Sequence, residues 1–204
     1  FTGPGGGKFV DEYSVETVPL SGDVDKAKEY LAAAMEELGY SDVSQLPQLE
    51  LITWDDSEQK LLLETIIDQW KKNLGLENVQ LTQYVIGTAI GSFYDLSYDL
   101  FAITWETDVL PTDIMEAMVT GGEVNYGIWS NAEFDSLVNQ AINELDPEKQ
   151  AELTAQAEQI FLDEAAILPL YENGVTGAVQ SYVEGYQMSA TSSGYQFNKL
   201  VVHK

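Results

Sequence analysis

Two carboxylates, Glu106 and Asp108, stand two residues apart just beyond the apolar run Phe101, Ala102, Ile103 in the stretch FAITWETDVLPTD, residues 101–113. On an extended chain that spacing puts both on one side. Two chemistries fit. Paired carboxylates ~5–9 Å apart perform acid–base work on glycosidic bonds. A carboxylate just past a strand can instead accept charge-assisted hydrogen bonds from a ligand ammonium group. In that case the backbone groups of Thr104 and Glu106 pair with an extended chain laid beside the strand. Such pairing ignores the guest's side chains and suits a receptor for many peptides. Trp105 then offers an apolar wall for one guest side chain. The plainer alternative has Trp105 in the core and Asp108 capping a turn.

Other constellations carry less. GPGGGKF, residues 3–9, has glycines and a lysine, but Phe9 stands where a phosphate-binding loop needs Ser or Thr. It reads as a simple loop. The only histidine, His203, would have to serve any Ser-His-Asp triad, and no G-x-S-x-G elbow accompanies it. A frayed tail position is expected for it. Asp55, Asp56 and Glu58 resemble half of a calcium loop, yet the glycine and distal glutamate are missing, so Asp55 to Ser57 read as the cap of a helix. Without cysteine there are no disulfides, no thiolate chemistry and no Cys-based zinc site. No cofactor or metal is expected.

The elements that must position these residues follow from composition and period. The 204 residues, 45% hydrophobic, suffice for one large domain or two small ones. All nine basic residues are lysine, against 34 acids, for a net charge of −25. That charge repels nucleic acid and anionic membrane surfaces. It marks either a well-solvated surface or a preference for cationic ligands. No run reaches the ~20 apolar residues that span a bilayer.

Residues 1–22, rich in Gly and Pro, form a lead-in segment with little regular structure, and its first residues, FTGPGGGKF, look more like an internal loop than a native start. The chain is therefore expected to be a piece of a longer protein. A helix is predicted from Asp23 to Leu38, stopped by Gly39, with Ala27, Tyr30, Leu31, Ala34 and Leu38 on its buried face. Leu49 to Trp54 reads as a strand, Ser57 to Leu74 as a helix ending at Gly75, and Val79 to Tyr84 as a strand. Together they make a βαβ unit with a right-handed crossover. A short helix at 86–93 and a third strand at 97–105 follow. Pro111 opens a helix at 112–118. Asn131 to Glu144 carries Phe134, Leu137, Val138 and Ala141 on one stripe, and Pro147 starts a helix to Glu164. Ala165 to Tyr171 is predicted as a short strand, and Leu200 to Val202 as the last one.

Several of these pieces match a known family in its own order. They are VDKAKEYLAAAMEELGY, LELITW, DQWKKNLGLENVQL, YDLFAITWETD, YGIWSNAEFDSLV and DEAAILPLYENG. From Val24 to Lys204 the chain resembles the second lobe and C-terminal tail of the oligopeptide- and dipeptide-binding proteins of ABC importers (solute-binding protein family 5). The resemblance implies an α/β fold: a periplasmic binding protein-like II lobe, a mixed sheet flanked by helices. It implies 1–22 as lead-in, 23–171 as lobe II, and 172–204 as a tail returning toward the hinge or a lobe I outside this chain. It further implies an extracytoplasmic, periplasmic or lipid-anchored receptor, an oligopeptide ligand enclosed between lobes, and a membrane permease as partner.

The family's W-x-x-D motif falls on Trp105 and Asp108, which implies that Asp108 receives the peptide's α-amino group. Thr104 and Glu106 then lie on the strand that pairs with peptide backbone. This sequence departs from the pattern at Val109, where the family has Tyr, and at Ala102, which replaces a basic residue that meets the peptide carboxylate. Relatives that bind sugars or metal chelates, or act as peptide-signal receptors, keep a second ligand class open. The glycoside-hydrolase reading of Glu106 and Asp108 remains the enzymatic alternative.

Overall fold

A computed structural model describes residues 3–13, 15, 19, 21–105, 110, 112–171, 178–188, 195–196 and 199–203. In chain order the elements are α1 (Phe9–Glu12), α2 (Val24–Leu38), a 3-10 helix (Val43–Gln45), β1 (Leu49–Trp54), α3 (Ser57–Leu74), β2 (Val79–Tyr84), α4 (Ile86–Tyr94), β3 (Leu100–Phe101), α5 (Thr112–Met118), α6 (Ala132–Asn143), α7 (Pro147–Asp163), β4 (Val183–Glu184), β5 (Gln187–Met188), β6 (Tyr195–Gln196) and β7 (Val201–Val202). They divide into two compact units, Thr17–Thr104 and Phe1–Glu16 with Trp105–Lys204. No helix among the described residues is long and apolar enough to cross a membrane.

The unit of Thr17–Thr104 is built on the predicted βαβ element. β1 lies between β2 and β3 and runs parallel to both. Its register with β2 runs from Leu49 opposite Val79 to Trp54 opposite Tyr84. Leu51, Ile52 and Thr53 are consecutive and all buried. Neighbouring strand residues point to opposite faces, so β1 is covered on both, as a parallel sheet requires. α3 starts where Asp56 accepts hydrogen bonds from the amides of Glu58 and Gln59 at 2.9 and 2.8 Å. It stops at Gly75, whose φ of 73° suits glycine.

Two expectations for this unit need correction. The buried stripe of α2 runs through Ala27, Leu31 and Met35, while Tyr30, Ala34 and Leu38 face solvent. Both stripes have helical period, and only packing against a neighbour selects one. The strand foreseen over 97–105 has just two ladder residues, Leu100 and Phe101, opposite Leu51 and Ile52. Its backbone pairing reaches Ala102, whose amide donates to the Ile52 carbonyl at 3.0 Å. The buried Thr53 hydroxyl lies 3.0 Å from the Ala102 carbonyl, the more distant of two acceptors within reach of its one proton.

The second unit has a helical core. Met115, Met118, Phe134, Val138, Ala157 and Phe161 form one buried cluster from α5, α6 and α7. Phe134 and Phe161 stack at 5.2 Å, and Trp129 meets both edge-on. The run Trp129-Ser-Asn-x-x-Phe-Asp fastens this core. Trp129 Nε1 and Asn131 Nδ2 donate to the two carboxylate oxygens of Glu164 at 2.8 and 2.7 Å. Asn131 Oδ1 caps α6 by accepting from the Glu133 and Phe134 amides, and Asp135 accepts from the Thr120 amide. Asn125 joins the same loop, its amide nitrogen reaching the carbonyls of Met118, Val119 and Trp129.

Two further expectations change here, and one holds with an addition. Residues 165–171 form no strand. Ala165 adopts a left-handed φ of 51° that closes α7, and Ile167, Leu168, Leu170 and Tyr171 then run exposed without a ladder. An apolar run marks a strand only where a partner offers its edge. The glycine stretch is a loop as expected, and it holds a partner of its own. The amides of Gly5 and Gly7 donate to the Glu12 carboxylate at 3.1 and 2.8 Å, and α1 itself is a helix within the predicted irregular segment. An anion cradle is present, and the protein's own acid fills it. His203 is not frayed either. Its amide donates to the Tyr182 carbonyl at 2.8 Å, and Nε2 lies 3.1 Å from Glu184 across the β4–β7 ribbon.

Candidate functional site

Parallel strands end on one side of their sheet, so the segments after β1, β2 and β3 emerge together at the carboxyl edge. Open α/β sheets bind ligands at that edge. Here the edge is braced by glutamines. Gln83 Nε2 donates to the carbonyls of Trp54 and Asp56 at 3.3 and 3.0 Å, and the Asp55 amide donates to the Tyr84 carbonyl at 2.8 Å. These bonds hold the ends of β1 and β2 together.

The third strand is pinned at both ends by side chains. At its start the Glu50 amide donates to Asp99 Oδ2 at 2.7 Å, and the Asp99 amide returns a bond to the Glu50 carbonyl at 3.1 Å. Phe101 packs against Phe93 of α4 and meets Tyr98 edge-on at 5.4 Å. Burial pushes the Tyr98 phenol pKa up. At the far end Gln59 Oε1 accepts from the Thr53 hydroxyl at 2.6 Å, and Gln59 Nε2 donates to Thr104 Oγ1 at 2.8 Å. A polar chain thus runs from the fully buried Thr53 to the exposed Thr104.

β3 is the outer strand of its sheet, and no strand among the described residues pairs with its far side. Thr104 lies just past it, held by Gln59. Trp105 follows, 45% exposed and so not a core residue of this chain. Glu106 and Asp108, the two carboxylates from which the chemistry was read, lie outside the described residues, as does Pro111. Among the described residues no cluster of His, Cys, Asp or Glu could hold a metal ion.

Sequence reasoning missed Gln59, Thr53 and Gln83. The reason is specific for Gln59. Asp56 followed three residues later by Gln59 reads as a capping box, in which the glutamine would turn back to the cap amide. That amide is instead taken by the Trp54 carbonyl at 2.9 Å, and the Gln59 side chain points into the sheet.

A parallel sheet with helices between its strands, opening at its carboxyl edge, is an α/β architecture of the periplasmic binding protein-like class. Comparisons with known proteins agree. No family model matches the chain. Among curated proteins it is 33% identical over 176 residues to the oligopeptide-binding protein OppA of Bacillus subtilis, covering 85% of this chain and 32% of that protein. It is 31% identical over 147 residues to the dipeptide-binding protein DppE of the same organism, covering 72% of this chain and 26% of that protein. The fold superposes on the substrate-binding domain of an oligopeptide ABC transporter from Bacillus anthracis with a TM-score of 0.82 at 24% identity, over 100% of this chain and 39% of that one. The chain is a homologue of the substrate-binding proteins of oligopeptide and dipeptide ABC transporters. It spans about a third of the length of the curated relatives it matches.

Proposed function

We propose that this chain is the ligand-binding lobe II of an extracytoplasmic oligopeptide-binding protein that delivers peptides to an ABC importer. Residues 23–171 supply the lobe, 1–22 lead into it, and 172–204 return toward a hinge or a lobe I outside this chain. The observation that supports the reading is the outer strand β3 at the carboxyl edge of the parallel sheet, continued by Thr104 and the half-exposed Trp105. A guest backbone extends the sheet along Thr104 and Glu106, Trp105 lies against one guest side chain, and Asp108 accepts the guest's ammonium group. Closure of the two lobes buries the guest, and the closed protein docks on a membrane permease. The chain binds and does not catalyse. Its relatives are named for binding, so Glu106 and Asp108 are read as ligand contacts rather than as a hydrolytic pair.

The test is calorimetric titration of the full-length natural protein with an alanine pentapeptide, free at its amino terminus or N-acetylated. Asp108→Ala should weaken binding of the free-amine peptide by ~1.5–3 kcal/mol, the range for a hydrogen bond to a charged group. The acetylated peptide should bind wild type and variant alike. If acetylation leaves wild-type affinity unchanged, Asp108 does not hold an ammonium group. If neither peptide binds, the receptor reading fails as a whole.

A further inference from the structure

The ladder of β3 ends at Ala102, yet the proposed guest-pairing segment begins at Thr104. Something other than backbone pairing must orient the residues between. Among the described residues Gln59 reaches across that gap: it is buried at the start of α3, with Oε1 at 2.6 Å from the Thr53 hydroxyl and Nε2 at 2.8 Å from Thr104 Oγ1. We infer that Gln59 is the positioning residue of the guest-receiving edge, a strut from the core of the sheet that fixes the orientation of 102–104 where the ladder stops. This inference rests on the reading of that edge as the peptide site, but its structural half stands without a ligand.

Four features support it. Thr53 is 0% exposed on the central strand, so the strut is anchored at an immobile point. An amide side chain suits the task because it offers one acceptor and two donors in a plane. The Thr53 hydroxyl also has the Ala102 carbonyl at 3.0 Å as an alternative acceptor, so the anchor sits directly beside the departing chain. Finally, α3 does not need Gln59 as a cap, since Asp56 already accepts from the Glu58 and Gln59 amides. Binding a guest strand to a pre-ordered edge avoids the entropy of ordering that edge on binding. Loss of the strut should therefore be read in affinity.

Two variants cut the strut from opposite ends. Gln59→Leu removes both bonds and leaves the Thr53 hydroxyl its alternative acceptor on Ala102. Thr104→Val removes only the exposed end and keeps the shape. Two variants restore it: Gln59→Glu, whose carboxylate accepts from both threonine hydroxyls, and Thr104→Ser, which keeps the Oγ. Backbone NMR order parameters of the unliganded full-length protein should fall at 103–105 in the cut variants, from the ~0.85 of rigid backbone toward ~0.6, with those of 51–53 unchanged. Affinity for the free-amine alanine pentapeptide, measured well below the unfolding transition, should fall about tenfold, the factor for one net hydrogen bond. The restoring variants should return both readouts toward wild type. A residue that only stabilised the fold would leave that affinity alone.

Wild-type affinity in both cut variants would overturn the inference. Should wild type bind no peptide, the receptor reading falls, and the order parameters decide alone: unchanged values at 103–105 sink the strut. Should Gln59→Leu fail to fold, Thr104→Val carries the same test from the exposed end.

Discussion

Ile128 carries a cost visible at the residue scale. It sits at φ 51°, in the left-handed region, and is 70% exposed. A branched Cβ in that region meets the following carbonyl, at ~1–2 kcal/mol for an ordinary L-residue. With little packing in return, Ile128→Gly should raise the thermal midpoint, by about 1 kcal/mol of stability; an unchanged or lower midpoint in calorimetry counts against the strain. Glu158 is a second case. Burial on α7 raises its carboxyl pKa. Between the unfolded and the folded pKa the folded state holds the extra proton, so this group makes stability fall as pH rises through that window. Glu158→Gln should therefore stabilise the protein at neutral pH, and the gain should vanish in acid below the unfolded value. Denaturant midpoints at the two pH values check the sign.

Elements are held by caps and by a few aromatic contacts. Asn131 caps α6 and also reaches Glu164 just past the end of α7, so one side chain serves two helices. Asn131→Ala should cost ~1–2 kcal/mol, at the upper part of the range for a lost cap. Phe134 is fully buried between Trp129 and Phe161, and Phe134→Ala should cost ~3–5 kcal/mol through the cavity it leaves. These residues account for the family-like run Trp-Ser-Asn-x-x-Phe-Asp in physical terms. It is a fastener for three helices. The same run was legible in the sequence because every bond it makes, except the two to Glu164, lies within 15 residues.

On the scale of the whole molecule, charge dominates. The net charge of −25 is answered by four lysine–carboxylate pairs among the described residues, Lys26–Glu29, Lys60–Glu64, Lys71–Glu77 and Lys72–Asp68, all solvent-exposed. Exposed pairs stabilise little, and the remaining acids repel one another. Raising salt from about 10 mM to about 0.5 M shortens the Debye length from ~30 Å to a few ångströms. The thermal midpoint should rise over that range. A fall would mean that attractive pairs outweigh the repulsion.

The sequence by itself determined what is local. The cap at Asp23, the cap over Asp55 to Ser57, the helix start at Pro147 and the glycine stops at Gly39 and Gly75 depend on neighbours within a few positions, and they hold in the fold. Tertiary structure alone decided whatever needed a distant partner. Two stripes of α2 have the same period, and packing chose the one with Met35. Residues 165–171 have the composition of a strand and no edge to join. Gln59 reads as half of a cap and serves as a strut, because its acceptor on Thr104 lies 45 residues away. A side chain's partner across that distance is set by how the strands stack, which no local pattern encodes.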